Sequence, residues 1–213
     1  MKRSEISKNV VRRLPRYLRK LDELIKLNVE RVSSNELGAQ MGLTPSQIRQ
    51  DFSNFGEFGQ QGYGYNIKAL RSEIASILGM DKGFSVILVG VGNIGHTLID
   101  NFNFARFGFR LLGAFDIRKD LVGSPIQGCP APIMGVETQE EFISRHNVDI
   151  AILSVPREKA QAATDRLVKA GIKAIWNFTD TTINVGDSDI KVEDIYFSDS
   201  LLALSYLLLG DND

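Results

Sequence analysis

Residues 85–95 read Ser-Val-Ile-Leu-Val-Gly-Val-Gly-Asn-Ile-Gly, and this stretch decides the fold. Ser85 to Val89 is a β-branched, apolar run of the kind that makes a strand buried on both faces. It passes without a break into Gly90-Val91-Gly92-Asn93-Ile94-Gly95, a complete G-x-G-x-x-G. In such a loop Gly90 makes the tight turn, Gly92 lets a pyrophosphate approach the backbone, and Gly95 lets the next helix pack on the strand. That helix, expected from Gly92 to about Phe107, offers its free N–H groups and dipole to the phosphates. A second strand, Leu111 to Phe115, ends in Asp116, 21 residues past Gly95, where a carboxylate receives the hydroxyls of an adenosine ribose. Asp116 would repel a 2′-phosphate, which favours NAD(H) over NADP(H), and nearby Arg118 softens that preference. Strand, fingerprint, helix and acidic strand end together point to a dinucleotide.

The alternation continues downstream. A short helix is expected over Gln139–Arg145, then a buried strand over Val148–Val155 that Pro156 stops. A helix follows over Arg157–Ala170, closed by Gly171, then a strand over Ile172–Phe178 and a last one over Asp189–Phe197. Strands alternating with helices predict an α/β architecture, a Rossmann-like, doubly wound and mainly parallel sheet with its ligand crevice at the carboxyl ends of the strands. Ser154-Val155-Pro156 and Asn177-Phe178-Thr179 lie at such ends. Val155, Pro156, Asn177 and Phe178 therefore join Gly90, Val91, Gly92, Asn93, Ile94, Gly95, Asp116 and Ile117 as candidate cofactor contacts. Beyond Ser198-Asp199-Ser200 the chain closes on a helix that is apolar nearly all round (Leu201, Leu202, Ala203, Leu204, Tyr206, Leu207, Leu208, Leu209). Burying a leucine is worth ~1.5–3 kcal/mol, so such a helix is expected in the interface of a homodimer.

Upstream of the strand the chemistry changes. The formal net charge is −1, but residues 1–75 carry +5 and residues 76–213 carry −6, so near-neutrality hides two opposite halves. Helical spacing of apolar residues runs from Leu14 to Leu27, with Pro15 tolerated near the start. Ser33 and Glu36 form a capping-box pattern for a helix over Ser34–Met41, closed by Gly42. Thr44-Pro45 then caps a third helix, roughly Pro45 to Phe55. Two helices across so tight a turn read as helix-turn-helix. The third helix offers Ser46, Gln47, Arg49, Gln50 and Ser53, the side-chain types that reach bases and phosphates, with Ile48 and Phe52 facing inward. Glycines 56, 59, 62 and 64, interleaved with Phe58, Tyr63 and Tyr65, suit the paired strands of a wing, and Ile67–Leu78 would close a winged-helix domain. Arg12 and Arg16 on the first helix, with Gln60, Gln61 and Tyr63 on the wing, complete the candidate DNA contacts. The domains are expected at 1–79, 80–197 and 198–213.

Other classes fall away. The single cysteine, Cys129, permits neither a disulfide framework nor a cysteine zinc site, so no metal is expected. The amino terminus lacks the apolar core of a signal peptide, and the longest apolar run, Leu201–Leu209, is about half the ~18 residues of a membrane span, so no membrane is expected and the default location is cytoplasmic. None of the five tyrosines has a lysine four residues on, and His96 and His146 stand in no catalytic frame, so the chain is expected not to be an enzyme. Two alternatives stay open on the residues alone, a Rossmann enzyme or subunit that binds CoA and a sensor of another adenine nucleotide.

The chain resembles the Rex family of bacterial redox-sensing repressors over essentially its whole length. The resemblance rests on Arg49-Gln50-Asp51-Phe52-Ser53-Asn54-Phe55-Gly56 running into Gly59-Gln60-Gln61-Gly62-Tyr63-Gly64-Tyr65, on the glycine fingerprint, on Ser154-Val155-Pro156-Arg157, and on Gly171-Ile172-Lys173-Ala174-Ile175-Trp176-Asn177-Phe178. It implies a homodimer on palindromic double-stranded operator DNA, released by NADH while NAD+ leaves it DNA-competent, with the C-terminal helix exchanged between subunits. It also implies that Phe197 lies beside the nicotinamide and that Arg19 contributes to an interdomain switch. Where the family carries its switch aspartate this chain has Tyr196, and where a tyrosine partner is common it has Asn101.

Overall fold

The computed structural model describes residues 6–56, 58 and 63–209. The chain divides into two compact units, Met1–Lys82 and Gly83–Asp213.

In the first unit, α1 (Lys8–Lys26) starts six residues before the apolar periodicity suggested, because Ser7 caps it by accepting from the Asn9 N–H. Pro15 therefore sits in the helix interior, where its missing N–H removes one backbone bond. The buried stripe Val10, Leu14, Tyr17, Leu18, Leu21 and Leu24 holds the helix in place despite that loss. After β1 (Arg31–Val32) comes α2 (Ser34–Met41), whose capping box forms in both directions between Ser33 and Glu36. Gly42 closes it at φ +66°, and Thr44 caps α3 (Pro45–Ser53) through the Gln47 N–H. The expected pair of wing strands falls largely on residues 57 and 59–62, which lie outside the described residues; after them, β2 (Tyr65–Asn66) pairs antiparallel with β1. Asn66 then caps α4 (Ile67–Ile77). Leu14, Tyr17, Leu21, Leu37, Ile48, Phe52 and Ile67 share one buried core. Phe52 meets Tyr17 and Tyr65 edge-on at 4.9 and 5.2 Å between ring centres, contacts that tie α3 to α1 and β2.

The second unit is a six-stranded parallel sheet in the order β5-β4-β3-β6-β7-β8. Its strands are β3 (Phe84–Val89), β4 (Phe109–Asp116), β5 (Ile133–Gly135), β6 (Ile150–Leu153), β7 (Ala174–Asn177) and β8 (Lys191–Asp194). The helices are α5 (Asn93–Asn101), α6 (Gln139–His146), α7 (Ala160–Lys169) and α8 (Phe197–Leu209). The helix after the fingerprint ends at Asn101 rather than near Phe107, and residues 105–107 make a separate single turn. One buried cluster joins α6 and α7 to Ile87, Val89 and Phe115 on one face. A second joins Val86, Leu88 and Ala114 to Ile94 and Leu98 of α5 on the other. The chain runs from β3 outward to β4 and β5 and returns to β6 on the other side of β3. The switch point, where an open α/β sheet binds its ligand, thus falls between β3 and β6. The apolar helix α8 buries none of its residues within this chain, and Leu201, Leu207 and Leu208 are 67%, 73% and 79% exposed.

Candidate dinucleotide site and nucleic-acid interface

At the switch point the loops after β3 and β6 touch. The Ser154 N–H donates to the Val89 carbonyl at 2.9 Å, and its hydroxyl donates to the Gly90 carbonyl at 2.7 Å. Gly90 turns at φ +94°, and a Cβ there would stand 2.8 Å from the Ser154 carbonyl oxygen. A Cβ on Gly95 would stand 2.3 Å from the Gly90 carbonyl oxygen, so the start of α5 rests directly on the loop. A Cβ on Gly92 meets nothing within 4 Å, the open face that a pyrophosphate needs. Asn93 is exposed and Ile94 half-buried at the first turn of α5, while Val91 is fully buried.

Asp116 does more than the sequence reading gave it. Its carboxylate accepts the Val91 N–H at 2.7 Å and the Arg118 N–H at 2.8 Å. The Arg118 guanidinium in turn donates to the Val91 carbonyl at 2.6 Å. The acidic strand end therefore clamps the glycine loop, and a ribose would share a carboxylate already engaged by an arginine. Beside it, Ile117 projects 70% exposed. A cavity of about 280 Å³ opens here, bounded by Gly90, Gly92, Asp116, Ile117, Val155 and Pro156 and deepened by Gln139 of α6.

The carboxyl end of β7 is tied into the fold. The Asn177 carboxamide is buried and consumed inside the fold. It donates to Asp194 at 2.7 Å and to the Thr181 carbonyl at 2.8 Å, and it accepts from the Thr179 N–H and hydroxyl. Asn177 thus ties β7 to β8 and the following loop and has no free amide for a ligand. Phe178 is likewise buried, stacked edge-on against Trp176 at 4.6 Å, and reaches Phe197, which is 62% exposed, at 6.3 Å. Tyr196 shares a hydrogen bond with Thr182, and Asn101 donates to the Thr97 carbonyl of its own helix.

On the first unit, Ser46, Arg49, Gln50 and Ser53 are exposed along α3, and Arg12, Arg16 and Arg19 along α1. Tyr63 is 70% exposed, and Gln60 and Gln61 lie outside the described residues. Gln47 is half-buried on α3, and its amide donates to Asp51 at 2.9 Å. Arg49 donates to Ser34 of α2 at 3.0 Å and to Ser46 at 3.2 Å, which braces the guanidinium at the surface. Asp51, not singled out by the sequence reading, is the pivot. Fully buried, it accepts from Arg13 at 2.6 and 2.7 Å, from the Tyr17 hydroxyl at 2.7 Å and from Gln47. Burial pushes its carboxyl up, but the bonds from Arg13, Tyr17 and Gln47 outweigh this and hold it below the usual carboxylate range. Burial, then the bond to Asp51, pushes the Tyr17 hydroxyl up. The sequence signal for this lock was an acidic residue one step from inward-facing Phe52, a charge at a position that turns toward the core.

Among the described residues no cluster of His, Cys, Asp or Glu side chains has the makings of a metal site, and no helix is long and apolar enough to cross a membrane.

Comparison with known proteins fits both halves. Residues 5–53 match the family described as "Putative DNA-binding protein N-terminus", and residues 81–181 match "CoA binding domain". The redox-sensing transcriptional repressor Rex of Thermoanaerobacter pseudethanolicus is 49% identical over 207 residues, 97% of this chain and 91% of the relative. The Rex of Clostridium beijerinckii is 46% identical over 97% of each chain. A solved structure of RSP, a Rex-family repressor, in complex with β-NAD+ and operator DNA superposes with a TM-score of 0.88 at 50% identity, covering 95% of this chain and 92% of that one. RSP in complex with β-NADH does so with a TM-score of 0.88 at 46% identity, covering 96% and 94%. A fingerprint clamped for a dinucleotide, a braced reading helix and relatives matched nearly end to end lead to one conclusion: the chain belongs to the Rex family of redox-sensing transcriptional repressors.

Proposed function

We propose that this protein is a cytoplasmic repressor that binds operator DNA through residues 1–79 and is released when NADH occupies residues 80–197. The observation that carries the reading is the pairing, in one chain, of an open glycine loop at the sheet's switch point with a braced helix-turn-helix. The supporting relatives are repressors by name, and RSP holds NAD+ together with DNA in one structure and NADH in another. No catalysis is required of such a protein. A ligand drives a repressor off DNA by binding one dimer geometry better than another.

The apolar flanks of α8 supply the dimer. Thirteen residues with no burial in this chain make an interface helix, residues 198–213 being the dimerising segment, inserted into the partner subunit. Two reading helices then meet successive major grooves of a palindromic site, about one helical turn or roughly 34 Å apart. Phe197 stands at the nicotinamide end of the crevice and Phe178 supports it from behind, while Arg19 on α1 belongs to the switch. Tyr196 is bonded to Thr182 and Asp194 to Asn177, while Asp199 lies in the first turn of α8.

Titrating NADH into an operator complex at fixed salt tests the reading. Micromolar NADH is expected to abolish the gel shift and NAD+ to compete with it, and a complex indifferent to NADH overturns the proposal. In the same assay Arg49→Ala is expected to weaken specific binding by ~1–3 kcal/mol while leaving non-specific binding nearly unchanged. The match of residues 81–181 to a CoA-binding family keeps one rival in view. CoA displacing NADH at comparable concentration would favour it.

A further inference from the structure

We propose that Gln139 reads the adenine base of the bound dinucleotide, an inference that rests on the dinucleotide reading above. Gln139 is the first residue of α6, 2% exposed, and it lines the cavity beside the glycine loop. Its Nε2 has no hydrogen-bond partner, the one buried side-chain nitrogen or oxygen left so among the described residues. Buried side-chain polar atoms are overwhelmingly satisfied in folded proteins. The exception here points to an acceptor that arrives with a ligand.

The shape and chemistry of the cavity identify that ligand group. Gly92 opens its phosphate end and Asp116 its ribose end, so the next group along an adenosine enters past Ile117. The walls there are apolar, formed by Ile117, Val136, Val155, Pro156 and Ala163, with Gln139 the single neutral amide among them. A flat, weakly hydrated ring bearing lone pairs on its edge suits such a slot. Adenine offers unprotonated ring nitrogens to an amide N–H and an exocyclic amine to an amide oxygen, whereas a sugar or phosphate would leave apolar walls unmatched. Lys159 and Arg166, which line the same cavity, are exposed, and the buried Asp116 carboxylate already accepts from the Val91 and Arg118 N–H groups, so among the described residues the amide is the buried polar side chain there with an atom left unpaired.

Gln139→Met, close in volume but apolar, separates this role from a structural one. Calorimetric titration with ADP, GDP and NADH is paired with the thermal midpoint of the unliganded protein. Losing a neutral hydrogen bond is expected to weaken ADP and NADH roughly fivefold to tenfold. The ADP-over-GDP preference should shrink with it, while the unliganded midpoint holds or rises, because an orphaned amide has gone. Reduced nicotinamide mononucleotide, which lacks the adenine, should bind both proteins alike. Unchanged ADP affinity and base preference in the variant overturn the inference alone. A wild-type protein that binds neither ADP nor NADH overturns both the inference and the dinucleotide reading. Should Gln139→Met not fold, the wild type decides by itself: ADP is expected to bind at least about fivefold more tightly than GDP, and equal binding rejects the role for Gln139.

Discussion

Gly92→Ala is expected to leave folding unchanged and to weaken NADH binding on the order of 100-fold, ~2.7 kcal/mol, whereas Gly95→Ala is expected to damage the fold and the site together. The two glycines lie three residues apart in one motif, and the difference follows from their surroundings. At Gly92 the backbone holds φ −81° and ψ −163°, an extended conformation open to alanine, and a Cβ meets no atom within 4 Å. The unliganded protein therefore has room for the methyl group. What has no room is a pyrophosphate drawn against the backbone, which is why the fingerprint places its second glycine here. At Gly95 the Cβ would lie 2.3 Å from the Gly90 carbonyl oxygen and 3.2 Å from Leu88. That contact is with backbone, so α5 must lift off the loop. Overpacking of this kind costs ~1–3 kcal/mol before any ligand is considered. Thermal unfolding and NADH titration of the two variants check the pair. Equal loss of stability in both, or full NADH affinity in Gly92→Ala, would show that the loop does not hold a dinucleotide as described.

The same loop shows how far the sequence carried. A β-branched run into G-x-G-x-x-G prescribes strand, turn and helix through local sterics, and so it was readable from eleven residues. The caps of α2 and α3 were readable for the same reason, since Ser33, Glu36 and Thr44 act within three residues of themselves. Where partners are remote in the chain, local sequence carries no sign of them. Nothing near Asn177 announces that its carboxamide will be taken by Asp194 and Thr181. Asp116 was legible as a strand-end acid, but its clamp on Val91 spans 25 residues. Short strands were also missed. β5 is three residues after a long glycine- and proline-containing loop, and β1 and β2 are two residues each, too brief for a period of two to register. Pro15 misled for a different reason. The rule that places proline in a first turn is a preference, and six buried side chains along α1 override it.

Asp51→Ala is expected to destabilise the first unit by ~3 kcal/mol, a drop on the order of 15 °C in its thermal midpoint, and to abolish specific DNA binding although Asp51 itself reaches no base. The carboxylate joins α1 to α3 across 38 residues of sequence, and the same contact holds Gln47 in place. Removing it strands the buried Tyr17 hydroxyl and leaves the Arg13 guanidinium, 20% exposed, without its acceptor. Unpaired buried groups of this kind cost far more than an exposed ion pair contributes. The reading helix then loses its angle to α1, and Arg49 and Ser46 no longer meet a groove together. If the effect is one of unpaired charge, the double variant Arg13→Leu with Asp51→Leu should be more stable than either single one, since apolar replacements repack what one orphaned partner cannot. Acid supplies an independent check. The Asp51 carboxyl is held below its ordinary value, so its contribution is complete above the unfolded value of about 4 and is lost as pH falls through the lower folded value. The wild-type first unit should lose stability below about pH 4, and Asp51→Ala should lose less over the same range. A variant within a few degrees of wild type, still reading its operator, would show that α3 is held by the Phe52 core alone and that the buried carboxylate is incidental to DNA recognition.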